Sequence, residues 1–401
     1  MDILSRLSVK SLMRFKLVCK SFNSLISSTY FVKLHLRQSS APNANPLVIF
    51  FPPYNDADHI SSLHVKSFLK TPPPTVAEEV QFLRSNWKDR YLTIGSCDGL
   101  VCMIGTQDTS DEQQLFWVCF WNPAMKSTSQ KMFQAMKSTS QMFQAMKSTS
   151  QKMFQTMPPN DDELSYLFVY CGFGYDYVSD TYKVLVLMRN QYAMVFNMGG
   201  NSWRCVGCFP PDLTPIEEGK NIFGVHLNGT LNWIVINKIN ENNYVGNNEW
   251  VDFDSEWDNF EWDNGSCMIL SFDLNKEEFV RLVLPDTPHK FRSPHLGVLD
   301  ECLCVSHNDG ENFVIWQMKK FGIHESWTKL LSISNDKDLE PRDFPIPFFF
   351  PIYRFDKGDF LILPEDFLYN PRTKRLSPLE TTYRVFKSCA TICCESLISP
   401  Y

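Results

Sequence analysis

No stretch of this 401-residue chain is apolar for long enough to cross a bilayer. A membrane helix needs about 18 or more apolar residues in a row. The greasiest segment, residues 344–352, is short and interrupted by Pro345, Pro347 and Pro351. Residues 1–14 carry a charge every few positions and show no cleavage-site pattern, so a secretory leader is not expected. The eight His form no H-x-x-x-H or H-E-x-x-H, and a G-x-S-x-G elbow and a Walker loop are also missing. The expectation is therefore a non-enzyme with no catalytic residues, no metal and no cofactor. Positive charge is short as well. The net charge of −7 argues against a general nucleic-acid binder, and a membrane partner is not expected. The 13 Cys are odd in number, which fits reduced thiols and a cytoplasmic and/or nuclear protein. Cys205-x-x-Cys208 has no second pair at zinc spacing, whereas a structural zinc wants four ligands.

Aromatics are what the chain has in plenty: 32 Phe, 14 Tyr and 10 Trp, the residues that suit half-buried pleated surfaces. Charge is unevenly placed. Residues 1–37 hold seven basic groups and one acid, a balance of +6, which leaves −13 for the remainder. A basic head on an acidic body suggests two modules with different partners.

In the head, Leu4, Leu7, Leu12, Phe15, Val18, Cys19, Phe22, Leu25 and Ile26 recur mostly at steps of 3 and 4, which is helical. Ser8 or Ser11 is expected to cap one helix and Ser28 a short last one. The string Ile3-Leu4-x-x-Leu7-x-Val9-Lys10-Ser11-Leu12-x-Arg14-Phe15-Lys16-x-Val18-Cys19-Lys20-Ser21-Phe22-Asn23-x-Leu25-Ile26 resembles the F-box of plant F-box proteins. The resemblance implies that the head binds a Skp-type adaptor and through it a cullin. It names Leu4, Leu7, Val9, Leu12, Phe15, Val18 and Phe22 as adaptor contacts. The family's opening Leu-Pro turn has no counterpart here, so an F-box shortened at its start is expected. The family's usual Pro is Ser8, and its usual Trp is Phe22.

From Leu47 on, short apolar or alternating runs are bounded by Gly, Pro, Asn and Asp, which reads as an all-β sandwich, barrel or propeller. One unit recurs: an aromatic strand end, a small turn, then a strand with Trp, Phe or a basic residue. Its anchors Trp121, Phe196, Phe272, Trp316 and Tyr369 stand 75, 76, 44 and 53 residues apart. With the insertions removed from the first two steps, all four approach the blade period of a propeller. Asp98-Gly99 and Asn228-Gly229 are expected hairpin turns, and Gly172-Phe173-Gly174 a loop between strands.

These stretches resemble the F-box-associated domain of the same plant proteins, through residues 95–102, Trp121-Asn122-Pro123, residues 172–176, residues 180–184, Trp203-Arg204, residues 225–233 and Ser271-Phe272-Asp273. The expected fold is mainly β: a short N-terminal α-helical F-box followed by a β-propeller-like domain, with a β-sandwich as the alternative. The expected organisation is a partial F-box at 1–37, linker and first strands at 38–90, the F-box-associated β domain at 91–385, and a tail at 386–401. Inserts fall at 124–157 and 237–265. The first holds a tandem repeat, AMKSTSQKMFQ, AMKSTSQMFQ, AMKSTSQKMFQ, whose first copy is expected to continue a normal strand pair. The second holds EWVDFDSEWDNFEWD, with seven acids and no base, expected to be an acidic-aromatic surface loop. The function implied by the resemblance is target recognition in a Skp–cullin–F-box ubiquitin ligase, the β domain holding an unidentified target protein. The alternative is a stand-alone β interaction module.

Overall fold

A computed structural model describes residues 2–41, 45–51, 60–69, 78–80, 90–108, 114–129, 132–134, 168–188, 192–200, 202–215, 223–237, 261–262, 267–287, 291–334, 350–354, 358, 360–363, 367–373, 375–378 and 389–400. Three helices come first: α1 (Val9–Lys16), α2 (Lys20–Ser27) and α3 (Thr29–Ser39). No helix among the described residues is long and apolar enough to cross a membrane.

The described strands form five sheets, and with the nine-stranded one divided at its parallel pair they read as six antiparallel blades. Blade 1 joins the two ends of the chain: Cys389–Cys393 pairs with Leu47–Phe51, followed by Ile60–His64 and Glu78–Val80. Blade 2 is Arg90–Cys97, Leu100–Asp108, Gln114–Asn122 and Ser127–Thr128. Blade 3 is Phe168–Asp176, Thr181–Met188, Tyr192–Asn197 and Ser202–Cys208. Blade 4 is Phe223–Leu227, Thr230–Asn237, Cys267–Asp273 and Glu278–Leu282. Blade 5 is Phe291–Leu299, Cys302–Asn308, Asn312–Met318 and Trp327–Ser334. Blade 6 is Phe350–Arg354, Phe360–Leu363, Phe367–Asn370 and Arg375–Pro378. The first strands of blades 3 and 4 also pair in parallel, Phe223 with Cys171 and Gly224 with Gly172.

Core clusters lie between successive blades, not within a single layer. Blades 2 and 3 share Ile94, Cys102 and Phe120 with Phe173, Val184 and Phe196. On the other face of blade 2, Val101, Met103, Trp117 and Trp121 meet Ile49 and Cys393 of blade 1. Neighbouring residues of one strand are thus buried on opposite faces, because successive side chains alternate. A sandwich sheet buries one face, so the two-sided burial decides for the propeller.

All five aromatic anchors fall on third strands, Trp121 in blade 2 through Tyr369 in blade 6. The hairpin turns are where expected: Asp98 and Gly99 adopt φ of 51° and 82°, Asn228 and Gly229 49° and 76°. Gly172-Phe173-Gly174 departs from expectation. It lies inside the first strand of blade 3, not in a loop. The glycines are there for close approach: a Cβ on Gly174 would lie 2.3 Å from the His226 ring, and one on Gly172 3.1 Å from Trp233.

The first repeat copy continues blade 2: Ser127–Thr128 pairs with Trp121 and Asn122, and Met132–Gln134 with Phe116–Val118. The later copies lie outside the described residues. So does the acidic-aromatic segment, except that Glu261–Trp262 pairs with Phe291 and Arg292.

Candidate functional site

The head is built by short-range capping. Ser8 Oγ accepts the Ser11 amide at 3.4 Å at the start of α1. Ser28 Oγ donates to the Leu25 carbonyl at 2.7 Å and accepts the Phe31 amide at 3.3 Å, turning the chain from α2 into α3. Val9, Leu12, Ile26 and Phe31 are fully buried together. His35 is buried beside them, and its Nε2 lies 2.9 Å from the Leu7 carbonyl. That oxygen can only accept, so Nε2 carries the proton, and burial pushes the ring pKa down.

The seven expected adaptor contacts occupy three environments. Val9 and Leu12 form the head's own core. Leu4, Leu7, Phe15 and Phe22 are partly buried around it, with Phe15 and Phe22 ring centroids 5.8 Å apart. Val18 is 66% exposed. Ile3 and Leu17, at 81% and 87%, are more exposed still. Neither is among the seven residues expected from the sequence. Leu17 does carry a readable signal, as an apolar residue just past the end of α1 and off its periodic face.

The chain's last described residues strap this head to the propeller. Leu397 is 5% exposed and completes the cluster of Val9, Leu12, Ile26 and Phe31. Glu395 Oε2 accepts the Val9 amide at 3.1 Å, an anion at a helix start where it is favourable. Its other oxygen lies 3.7 Å from His64 Nε2 of blade 1. Asn122 of blade 2, wholly buried, donates Nδ2 to the carbonyls of Ser396 at 3.0 Å and Ile398 at 2.9 Å. Gly99 leaves room for Ser396, whose Oγ would be 2.4 Å from a Cβ there. Lys33 of α3 adds an ion pair to Asp180 at 2.7 Å, half-exposed and worth at most about 1 kcal/mol.

The head therefore sits where blades 2 and 3 turn from first to second strand. That end is braced by buried charge. Lys183, 4% exposed, reaches Asp176 Oδ2 at 2.9 Å, Glu277 Oε1 at 3.0 Å and the Leu274 carbonyl at 2.6 Å, bridging blades 3 and 4. Burial alone would raise the Asp176 pKa. Hydrogen bonds from the Ser179 hydroxyl, Lys183 and the Val178 and Ser179 amides outweigh it and hold the carboxyl at about 2.

Blades 2 and 4 also meet in a thiol–imidazole pair. Cys97 Sγ and His226 Nδ1 are 3.4 Å apart. His226 Nε2 accepts the Tyr175 amide at 3.3 Å, so the proton resides on Nδ1 and is donated to sulfur. Burial drives His226 down to about 4 and the Cys97 thiol well up. An imidazole that already donates cannot take the thiol's proton, so the pair is a structural pin and not an activated nucleophile.

At the opposite ends of the strands, a small cavity of about 170 Å³ opens on blade 5. Trp316 donates Nε1–H to His307 Nε2 at 3.2 Å, and Lys329 Nζ stands 5.2 Å from the Trp316 ring centre. Asp309, in the turn between second and third strands, and Thr287, between blades 4 and 5, complete the lining. The chain also leaves and re-enters blade 4 on this side for the 238–266 segment, between Asn237 and Cys267.

Two family models match this chain: the F-box domain over residues 1–34 and the F-box associated beta propeller domain over residues 56–370. An F-box/kelch-repeat protein of Arabidopsis thaliana is 30% identical over 352 residues, covering 84% of this chain and 79% of that protein. Another Arabidopsis thaliana F-box protein is 26% identical over 432 residues, covering 99% of this chain and 82% of that one. Among solved structures, an oligogalacturonate lyase is 11% identical with a TM-score of 0.35, covering 82% of this chain and 72% of that one, a likeness too low to bear on chemistry.

Proposed function

The chain belongs to the plant F-box proteins that carry an F-box-associated β-propeller domain, and on that premise we propose that it brings a target protein to a Skp–cullin–F-box ubiquitin ligase as a non-catalytic subunit. The observation that carries this reading is the apolar surface left open on a head whose own core is already complete. Ile3, Leu17 and Val18 are exposed while Val9 and Leu12 are fully covered. Exposed apolar groups beside a +6 charge suit an acidic adaptor with an apolar groove. In this reading Val18, Leu17 and Ile3 make the contact, Leu4, Leu7, Phe15 and Phe22 flank it, and Val9 and Leu12 hold the helices in place.

The target, unidentified, is held by the β domain, whose strand ends away from the head carry the blade 5 cavity. Catalysis is by proximity: the propeller holds the target while other subunits supply the transfer chemistry.

The test is co-expression with a plant Skp adaptor, followed by pull-down and titration of the wild type and a Leu17→Asp/Val18→Asp double variant. The reading expects binding by the wild type and its loss in the variant, with an unchanged melting temperature. A folded wild-type chain that leaves the adaptor unbound removes the ligase role and leaves a β interaction module.

A further inference from the structure

We propose that Cys205 and Cys208 form a surface dithiol that a two-electron oxidant such as hydrogen peroxide closes to an intrachain disulfide. On an unbroken strand, residues three apart point to opposite faces. Here the register slips. Cys205 lies opposite Met194 and Cys208 opposite Tyr192, while Gly207 is opposite Ala193. Val206 is the extra residue of a β-bulge, and Gly207 beside it has a φ of +148°. Met194 and Tyr192 are two apart and share a face, so the bulge brings both thiols to one face.

Two further observations support closure. Both cysteines are exposed, on the outermost strand of blade 3. Cys205 Sγ leans along the strand towards its partner, 3.8 Å from the Gly207 carbonyl oxygen, which belongs to the peptide unit that leads into Cys208. Two residues sharing a face of a strand are about 6.6 Å apart at Cα. That is at the upper end of the roughly 4.4–6.8 Å range of disulfides, and the Cβ atoms, about as far apart, must close to roughly 3.5–4.5 Å, a backbone shift at the Gly207 bulge on an edge strand. Most other cysteines of the β blades, such as Cys97, Cys102, Cys119 and Cys171, are buried.

The chemistry balances without a cofactor. One thiolate takes an oxygen from peroxide and becomes a sulfenic acid, releasing water once the proton is counted. The second thiol then attacks that sulfur and expels the oxygen as a second water. Two thiols and one peroxide yield one disulfide and two waters, and a dithiol reductant reverses the change.

The sequence offers a clean readout, because trypsin cutting after Arg204 and Lys220 yields a peptide with these two cysteines and no others. The full-length reduced chain is treated with peroxide, alkylated with N-ethylmaleimide and digested. The expected product is that peptide, unalkylated and two hydrogens lighter, formed faster in the folded chain than in guanidinium and restored by dithiothreitol. Cys19, exposed with no partner thiol beside it in sequence, serves as the internal control. Cys205→Ser should divert Cys208 to a sulfenic acid trapped by dimedone. Two alkylated thiols at a dose that consumes Cys19, or closure no faster folded than unfolded, would overturn the proposal.

Discussion

His226 of blade 4 holds its Nδ1 3.4 Å from Cys97 Sγ of blade 2, with Tyr175 of blade 3 donating to the other ring nitrogen. One imidazole thus ties three blades, and does so as a neutral ring. Its only place is the space that Gly174 leaves open.

Acid should therefore loosen the propeller through this residue. A histidine lowered from 6.5 to about 4 in the folded chain takes up its proton earlier when unfolded. Its effect is nil above pH 6.5 and grows as pH falls towards 4, reaching a loss of about 3 kcal/mol. Urea titrations of wild type and His226→Gln between pH 7 and 4 measure it. The variant should start lower and lose less across that window.

Gly174→Ala forces a methyl to within 2.3 Å of the same ring. Overpacking of this kind costs about 1–3 kcal/mol. Equilibrium denaturation reads the loss, and His226→Ala in the same chain should recover part of it, since the clash then has no second partner.

Lys183→Met leaves the Asp176 carboxylate buried without the cation it faces at 2.9 Å. Breaking a buried pair from one side costs about 3–5 kcal/mol. Removing both charges with Asp176→Leu/Lys183→Met should cost less than Lys183→Met alone, and a double-mutant cycle on unfolding free energies checks this.

Leu12→Ala and Val18→Asp should separate the two duties of the head. The first opens a cavity in a fully buried site and costs about 2–5 kcal/mol of stability there. The second sits at 66% exposure and should leave the melting temperature unchanged while weakening adaptor capture. Hydrogen exchange on residues 9–39, alongside the pull-down, distinguishes them.

Much of the propeller was legible because its local rules are simple. Period-2 runs between Asp-Gly and Asn-Gly turns mark strands, and Trp121, Phe196, Phe272, Trp316 and Tyr369 mark third strands. Blade 1 was not legible, because Leu47–Phe51 finds its partner at Cys389–Cys393 and no local pattern encodes that pairing. Gly172 and Gly174 misled for a related reason: glycine signals a turn in sequence, but here it serves the bulk of Trp233 and His226. In the head, steps of 3 and 4 identify the helices. They do not separate Val9, which faces Leu397, from Val18, which faces outwards, since one residue type satisfies both roles.

Leu397 closes the core of helices made far earlier in synthesis. At roughly 5–20 residues per second, a ribosome that has finished Ile26 needs on the order of 20–75 s more to reach Leu397. Until then Val9, Leu12 and Phe31 lack one wall, and Leu47–Phe51 lacks its neighbour. Head and first blade are thus completed only when the segment around Cys389–Leu397 has been made, long after their own residues.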